Sequence, residues 1–240
     1  MKLIFAGTSH GIPERDRFCS ATFLEIDGSV YIIDAAAPIS QLLLRYGLRH
    51  EDVKGIFVTH FHGDHCEGLP EFCNQISWYY RDAAPDIYLP EQAAVDLLRG
   101  WVRGIQKTDR DDLRLHCYQP GTIYQDGTIE IEALPTRHMA FAHAFRIRAQ
   151  GKTLLFTGDM SFQYPEFPEL LGGLRYDLVV CESAHNTMLA DCADMFRQAD
   201  AKHLVINHIN PAKLAGIEAV QDTFPFPFTL AYDGYVLELS

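Results

Sequence analysis

The strongest constraint on this chain is the run His60-Phe61-His62-Gly63-Asp64-His65, which follows directly on the apolar stretch Ile56-Phe57-Val58-Thr59. The apolar stretch reads as a buried strand that ends where a loop begins. Alternate side chains of an extended segment point the same way, so His60 and His62 can grip one ion. Asp64 and His65, just beyond, can turn toward a second. Neutral imidazole and carboxylate suit Zn²⁺, and also Mn or Fe. A solvated polar loop is the ordinary home of such residues, but three His and one Asp in six residues, straight after a buried-type strand, set this one apart.

Two ions need more ligands than four. Side chains of the right kind recur at other strand ends: His138 after residues 129–134, Asp159 after the apolar run at 154–156, and His208 after 204–207. Each alone reads as a loop residue. Together they repeat one pattern, and strand ends on one edge of a sheet converge in space.

The remaining pattern is that of an ordinary folded protein. Strand-like runs lie at residues 2–6, 21–26, 30–34, 55–59, 129–134, 144–148, 153–157, 177–181, 203–207 and 236–239, with turns expected at Asp27-Gly28 and Gln150-Gly151. Helical patterns lie at 38–46, 91–105, 187–199 and 211–220. Early hairpins followed by alternating strands and helices predict sheets covered by helices, an α/β (α+β) class whose topology the pattern leaves open. No repeat or linker divides residues 1–240, which reads as a single domain.

The chain carries 20 Lys+Arg against 32 Asp+Glu, a net charge of −12. Such a surface repels polyphosphate backbones over about 8 Å at physiological salt, which disfavours nucleic acid as a partner. The N-terminal apolar run, residues 3–6, is too short for a signal peptide or membrane span. The six Cys form no CxxC pair and read as reduced thiols of a cytoplasmic protein.

The segment His60 to Pro70 resembles the HxHxDHxxGLP signature of the metallo-β-lactamase superfamily, and is most similar to its ribonuclease Z-like phosphodiesterase branch. Phe5-Ala6-Gly7-Thr8-Ser9-His10-Gly11-Ile12-Pro13 resembles the GT-rich N-terminal loop of that branch. His138 followed by Ala144-Phe145-Arg146-Ile147 resembles its third motif, Thr157-Gly158-Asp159 its TGD motif, and Asn207-His208-Ile209 its last His motif. The first motif is highly specific. The others are weak singly but occur in the family's order along almost the whole chain.

The resemblance implies an αββα sandwich of two mixed sheets flanked by helices. It implies that His60, His62 and His138 hold one divalent ion, that Asp64, His65 and His208 hold the other, and that Asp159 bridges them. Two cations about 3.5–4 Å apart can share a hydroxide and stabilise charge on a substrate oxygen. Asp64 would both bind metal and orient the hydroxide. The metals expected are two zinc ions, with Mn or Fe as alternatives. A homodimer is a candidate assembly, because members of this branch are often dimers.

Two departures matter. Cys181 stands where the branch carries the His of its HEAT segment, so a His-Glu-Asp proton relay is broken although Glu182 persists. His143 and His185 are substitutes as general acid, each weighed against a structural role. Only 20 residues separate His138 from Asp159, too few for the basic tRNA-gripping arm of ribonuclease Z enzymes. The expectation is therefore a hydrolase of small substrates, a phosphodiesterase acting on something like a cyclic nucleotide or a simple phosphate diester. Its alternative is a lactone or thioester hydrolase of the same superfamily. Less favoured are a tRNA 3′ processing endonuclease, a non-catalytic metal-binding protein and a redox di-iron protein. Ser9, His10 and Arg137 are candidates to meet a phosphate. Trp78-Tyr79-Tyr80 reads as packing before cleft lining, and residues 224–228 as a rigid connector.

Overall fold

A strand covered on both faces needs a nearly unbroken apolar run, whereas an edge strand does not. This divides the strands legible in the sequence from those that are not. The computed structural model describes residues 1–106, 112–160, 170–185, 200–219, 221–223 and 226–240. It divides into two compact units, Met1–Tyr118 with Tyr232–Ser240, and Gln119–Ala231.

The first unit is built on a seven-stranded mixed sheet. Strands β1 (Lys2–Gly7), β2 (Ala21–Ile26) and β3 (Ser29–Ala35) form an antiparallel meander. Asp27 and Gly28 turn its hairpin with both φ angles positive, as a two-residue turn between twisted strands requires. Beyond β3 the sheet runs parallel through β4 (Val53–Phe57), β5 (Asp86–Leu89) and β6 (Arg114–Cys117). The parallel joints are helical: α1 (Ile39–Arg45) leads to β4, α2 (Gly63–Cys66) and α3 (Leu69–Trp78) lead to β5, and α4 (Gln92–Gln106) leads toward β6. Ile32, Ile56 and Ile87 lie side by side in register at the centre of the core. Helix α4 buries Ala94, Val95, Leu98 and Val102, the spacing of one helical face.

The second unit repeats the plan. Strands β7 (Gly121–Gln125), β8 (Ile129–Pro135), β9 (His143–Ala149) and β10 (Lys152–Phe156) are antiparallel, and β11 (Leu178–Glu182), β12 (Leu204–Asn207) and β13 (Phe228–Leu230) continue in parallel. Gln150-Gly151 turns the β9–β10 hairpin, again with both φ angles positive. Strand β14 (Tyr235–Glu238) returns to pair with β1 in the first unit.

Strands β5, β6, β7 and β13 have no counterpart in the apolar pattern. They are three to five residues long, and their polar or half-buried positions break any run. The helix expected at 211–220 starts instead as a 3₁₀ turn, Pro211–Lys213, because the Asn210 side chain accepts the Ala212 N–H at 2.9 Å. Helix α5 (Leu214–Glu218) follows. The expected helix at 187–199 and Cys192 lie outside the described residues, as do Phe224 and Pro225 of the expected connector; Phe228 opens β13. Cys19, Cys66, Cys73, Cys117 and Cys181 are free thiols. No helix among the described residues is long and apolar enough to cross a membrane.

The aromatic run after α3 splits in role. Tyr80 stacks face to face on the buried His50 ring with centroids 3.5 Å apart, and Phe72 covers its surroundings at 6.0 Å. Trp78 and Tyr79 are exposed at the C-terminal end of α3. Burial holds the His50 imidazole below its ordinary pKa near 6.5. Unfolded chains take up a proton there as pH falls through about 6.5, while the folded chain resists it. This contribution to stability is therefore present above that pH and lost below it. Urea midpoints measured from about pH 7 down to about pH 5 are expected to fall less steeply in His50→Phe, which keeps the stack and removes the titration.

Candidate metal centre

In the first unit the site begins where β3 and β4 end side by side. Asp34, the last residue but one of β3, has a left-handed conformation, φ 56°, that a non-glycine residue adopts only where its surroundings impose it. Its carboxylate accepts the Thr59 N–H at 2.8 Å and the Thr59 hydroxyl at 3.0 Å, and faces His65 Nδ1 at 2.8 Å. A carboxylate at Nδ1 makes that nitrogen the donor, which leaves His65 Nε2 as the nitrogen able to bind an ion. Nothing in the sequence singles out Asp34, although, like Asp159, it is a carboxylate near the end of an apolar strand.

The neighbouring side chains converge. His60 Nε2 and His62 Nδ1 lie 3.0 Å apart, and the His60 and His65 rings are 4.1 Å apart between centroids. Asp64 Oδ2 accepts the Gly11 N–H at 2.8 Å and lies 3.7 Å from His65 Nε2. The Tyr118 hydroxyl, whose pKa burial raises, donates to the Val58 carbonyl at 2.7 Å and so ties down the end of β4. Gly68 is needed for a close approach: a Cβ there would stand 2.2 Å from the Ala37 carbonyl oxygen. Its own N–H donates to Ala35 at 2.8 Å.

The loop that carries Gly11 is held from far along the chain. Asp233 accepts the Thr8 N–H at 3.0 Å, the Thr8 hydroxyl at 2.8 Å and the Phe18 N–H at 2.6 Å. The buried Ser9 hydroxyl is engaged inside this loop, 2.8 Å from both the Ile12 carbonyl and the Glu14 carboxylate. Ser9 is therefore a structural residue and not the phosphate donor that its position suggests.

In the second unit the centre is Asp159, which follows β10 and is 2% exposed. Its Oδ2 lies 3.7 Å from His138 Nε2 and 3.4 Å from His185 Nδ1, and its Oδ1 lies 3.4 Å from His208 Nε2. Asp159, His185 and His208 offer ligand atoms all within 4.8 Å of one another. His208 sits in the left-handed region at φ 48°. The Thr136 hydroxyl donates to the Asp159 carbonyl at 2.9 Å, joining the His138 loop to the aspartate.

Glu182 stands behind this group. It accepts the His185 N–H at 2.8 Å and the Met160 N–H at 3.3 Å, and lies 3.5 Å from His185 Nδ1. Cys181 points the other way, into the apolar cluster of Leu155, Val179 and Ile206. His143 opens β9 opposite Pro135 and is 4% exposed. The separations of 3.7 and 3.4 Å from Asp159 to His138 and His208 exceed those of direct hydrogen bonds. A buried carboxylate ringed by imidazole nitrogens at such spacing is the donor set of a divalent transition metal.

The comparisons with known proteins agree with this chemistry. The family model of the anti-Pycsar protein Apyc1 matches residues 1–182, which include His60 to His65, His138, Asp159 and Glu182. Ribonuclease Z of Shouchella clausii is 32% identical over 155 residues, 63% of this chain and 49% of that protein. The chain thus spans about half the length of the curated relatives it matches. The crystal structure of the short form of human tRNase Z superposes with a TM-score of 0.78 at 21% identity, over 100% of both chains. The metallo-β-lactamase fold protein YhfI of Bacillus subtilis gives 0.78 at 19%, over 99% of each. The two mixed sheets with their helices are accordingly those of the metallo-β-lactamase fold. The chain belongs to the family of the anti-Pycsar protein Apyc1 and has the metallo-β-lactamase fold.

Proposed function

We propose that this protein is a dinuclear metal-dependent hydrolase that cleaves small phosphodiesters. The observation that carries the reading is the buried Asp159 carboxylate with His138 and His208 beside it. In this reading His60, His62 and His138 would hold one divalent ion and Asp64, His65 and His208 a second, with the Asp159 carboxylate available to both; zinc is the first candidate, then Mn or Fe. When bound, the ions supply a nucleophile from water near neutral pH and neutralise charge on phosphoryl oxygens.

The chain's own residues then do the positioning. Asp34 and Thr59 hold the His65 ring in one tautomer. The Gly11 N–H sets the rotation of the Asp64 carboxylate, which orients the attacking water. Glu182 and His185 replace the relay broken at Cys181. His185 Nδ1 faces two carboxylates, so Nε2 is the nitrogen that passes a proton to the leaving oxygen. His143 is the second candidate for that role.

Substrate size follows from the chain between His138 and Asp159. Strands β9 and β10 and their two-residue turn take up most of it, and the few residues left are too short for an RNA-gripping arm. With the net charge of −12, this supports a cyclic nucleotide or simple diester over tRNA. Metal-replete protein is expected to hydrolyse bis(p-nitrophenyl) phosphate, to lose that activity to a chelator and to regain it with zinc or manganese. Robust lactone or thioester hydrolysis without diester turnover would overturn the phosphodiesterase reading, and cleavage of precursor tRNA in preference to small diesters would overturn the small-substrate reading.

A further inference from the structure

Phe141 occupies a position that stability alone does not explain. It is the third residue of the turn from Met139 to Ala142, closed by the Ala142 N–H on the Met139 carbonyl at 3.3 Å. Its φ is 62°, a conformation that a turn of this kind normally gives to glycine or asparagine. Its ring is 51% exposed. A large aromatic side chain here strains the backbone and leaves about half of its surface in solvent. Such strain persists where the surroundings impose it, and it gathers at ligand-binding sites.

The surroundings are those of the candidate metal centre. Phe141 belongs to the loop of residues 136–142, which is closed at its base by the Thr136 N–H on the Ala142 carbonyl at 2.9 Å. The same loop carries His138, and the Thr136 hydroxyl moors it to Asp159. Arg137, beside His138, is exposed on this loop. A ring held on so short and tethered a support loses little freedom when something stacks on it. Every nucleobase offers a flat π-face, so such stacking is strong and tolerant of base identity.

We propose that Phe141 is a specificity-determining residue whose exposed face stacks on a flat ring of the substrate. The site then prefers phosphodiesters that bear an aromatic ring, nucleosides above all, over those with aliphatic groups alone. This rests on the phosphodiesterase reading.

The test compares adenosine 3′,5′-cyclic monophosphate with base-free 1-O-methylribose 3′,5′-cyclic phosphate on zinc-loaded wild type, Phe141→Ala, Phe141→Gly and Phe141→Trp. In Phe141→Ala the KM for the nucleotide is expected to rise about 5- to 100-fold, the range of a lost base-stacking contact. Its kcat, and both constants for the base-free diester, are expected to stay the same. Phe141→Trp keeps the preference. Phe141→Gly loses it while melting no lower than wild type, since glycine relieves the left-handed backbone; a structural role predicts the reverse. Equilibrium dialysis of both compounds runs alongside. If wild type turns over neither, the hydrolase reading fails, and Phe141 is judged by the ratio of dissociation constants. A wild type without preference for the ring-bearing diester, or a Phe141→Ala that weakens both alike, overturns the proposal.

Discussion

Asp159→Ala is expected to remove both metal binding and phosphodiester turnover while leaving the fold intact. The two carboxylate oxygens serve different sides, Oδ1 toward His208 and Oδ2 toward His138 and His185. Without them a cation at this centre loses its buried counter-charge, and imidazoles alone offset little of the cost of desolvating it. The loss should exceed the roughly 10- to 100-fold typical of residues that only orient a ligand. The fold is expected to survive because the hydrogen bond from Thr136 goes to the Asp159 backbone carbonyl, which alanine retains. In chelator the variant should melt at or above the wild-type temperature, since it no longer buries a carboxylate. Elemental analysis, turnover of bis(p-nitrophenyl) phosphate and melting in chelator together check this. A variant that keeps its full metal content would show that Asp159 is not a ligand.

The second large effect is expected at Asp34, which touches no substrate. Asp34→Ala strands the Thr59 N–H, the Thr59 hydroxyl and His65 Nδ1 in a buried place, which should cost on the order of 3–5 kcal/mol. Asp34→Asn separates stability from chemistry. Its amide oxygen can still accept the Thr59 N–H where Oδ1 does now, but its NH₂ must then face His65 Nδ1. The imidazole has to accept at Nδ1, which moves its proton to Nε2, the nitrogen needed for the ion. Metal affinity is expected to fall about 10- to 100-fold with most of the stability kept. Competition against a chelator of known affinity measures the fall, and nitrogen NMR of the metal-free protein reports the tautomer. Wild-type affinity in Asp34→Asn would mean that the Asp34–His65 contact does not set the ring.

Much of this centre is legible without coordinates. The cluster His60–His65 follows an apolar run, as do Asp159 and His208, and each stands just past the end of a strand. The hairpins are readable too, because Asp27-Gly28 and Gln150-Gly151 each supply the glycine that a two-residue turn favours. Strand β4 nevertheless ends at Phe57, two residues before its apolar run does. The loop therefore begins early enough for Thr59 to turn back onto Asp34.

What stayed hidden depends on contacts between distant residues. Thr59 and His65 meet Asp34 across 25 and 31 residues, and Thr8 meets Asp233 across 225. Such pairs leave no periodicity to read. His185 belongs to the same class: nothing local says that a histidine four residues beyond Cys181 ends 3.4 Å from Asp159. Sequence by itself determined the chemistry available, because ligand-type side chains and strand ends are properties of short stretches. Only the tertiary structure decided how that chemistry is aimed, through which nitrogen of His65 carries the proton, which N–H turns Asp64 and which histidine stands at Asp159. Those choices are made by hydrogen bonds between segments that folding alone brings together.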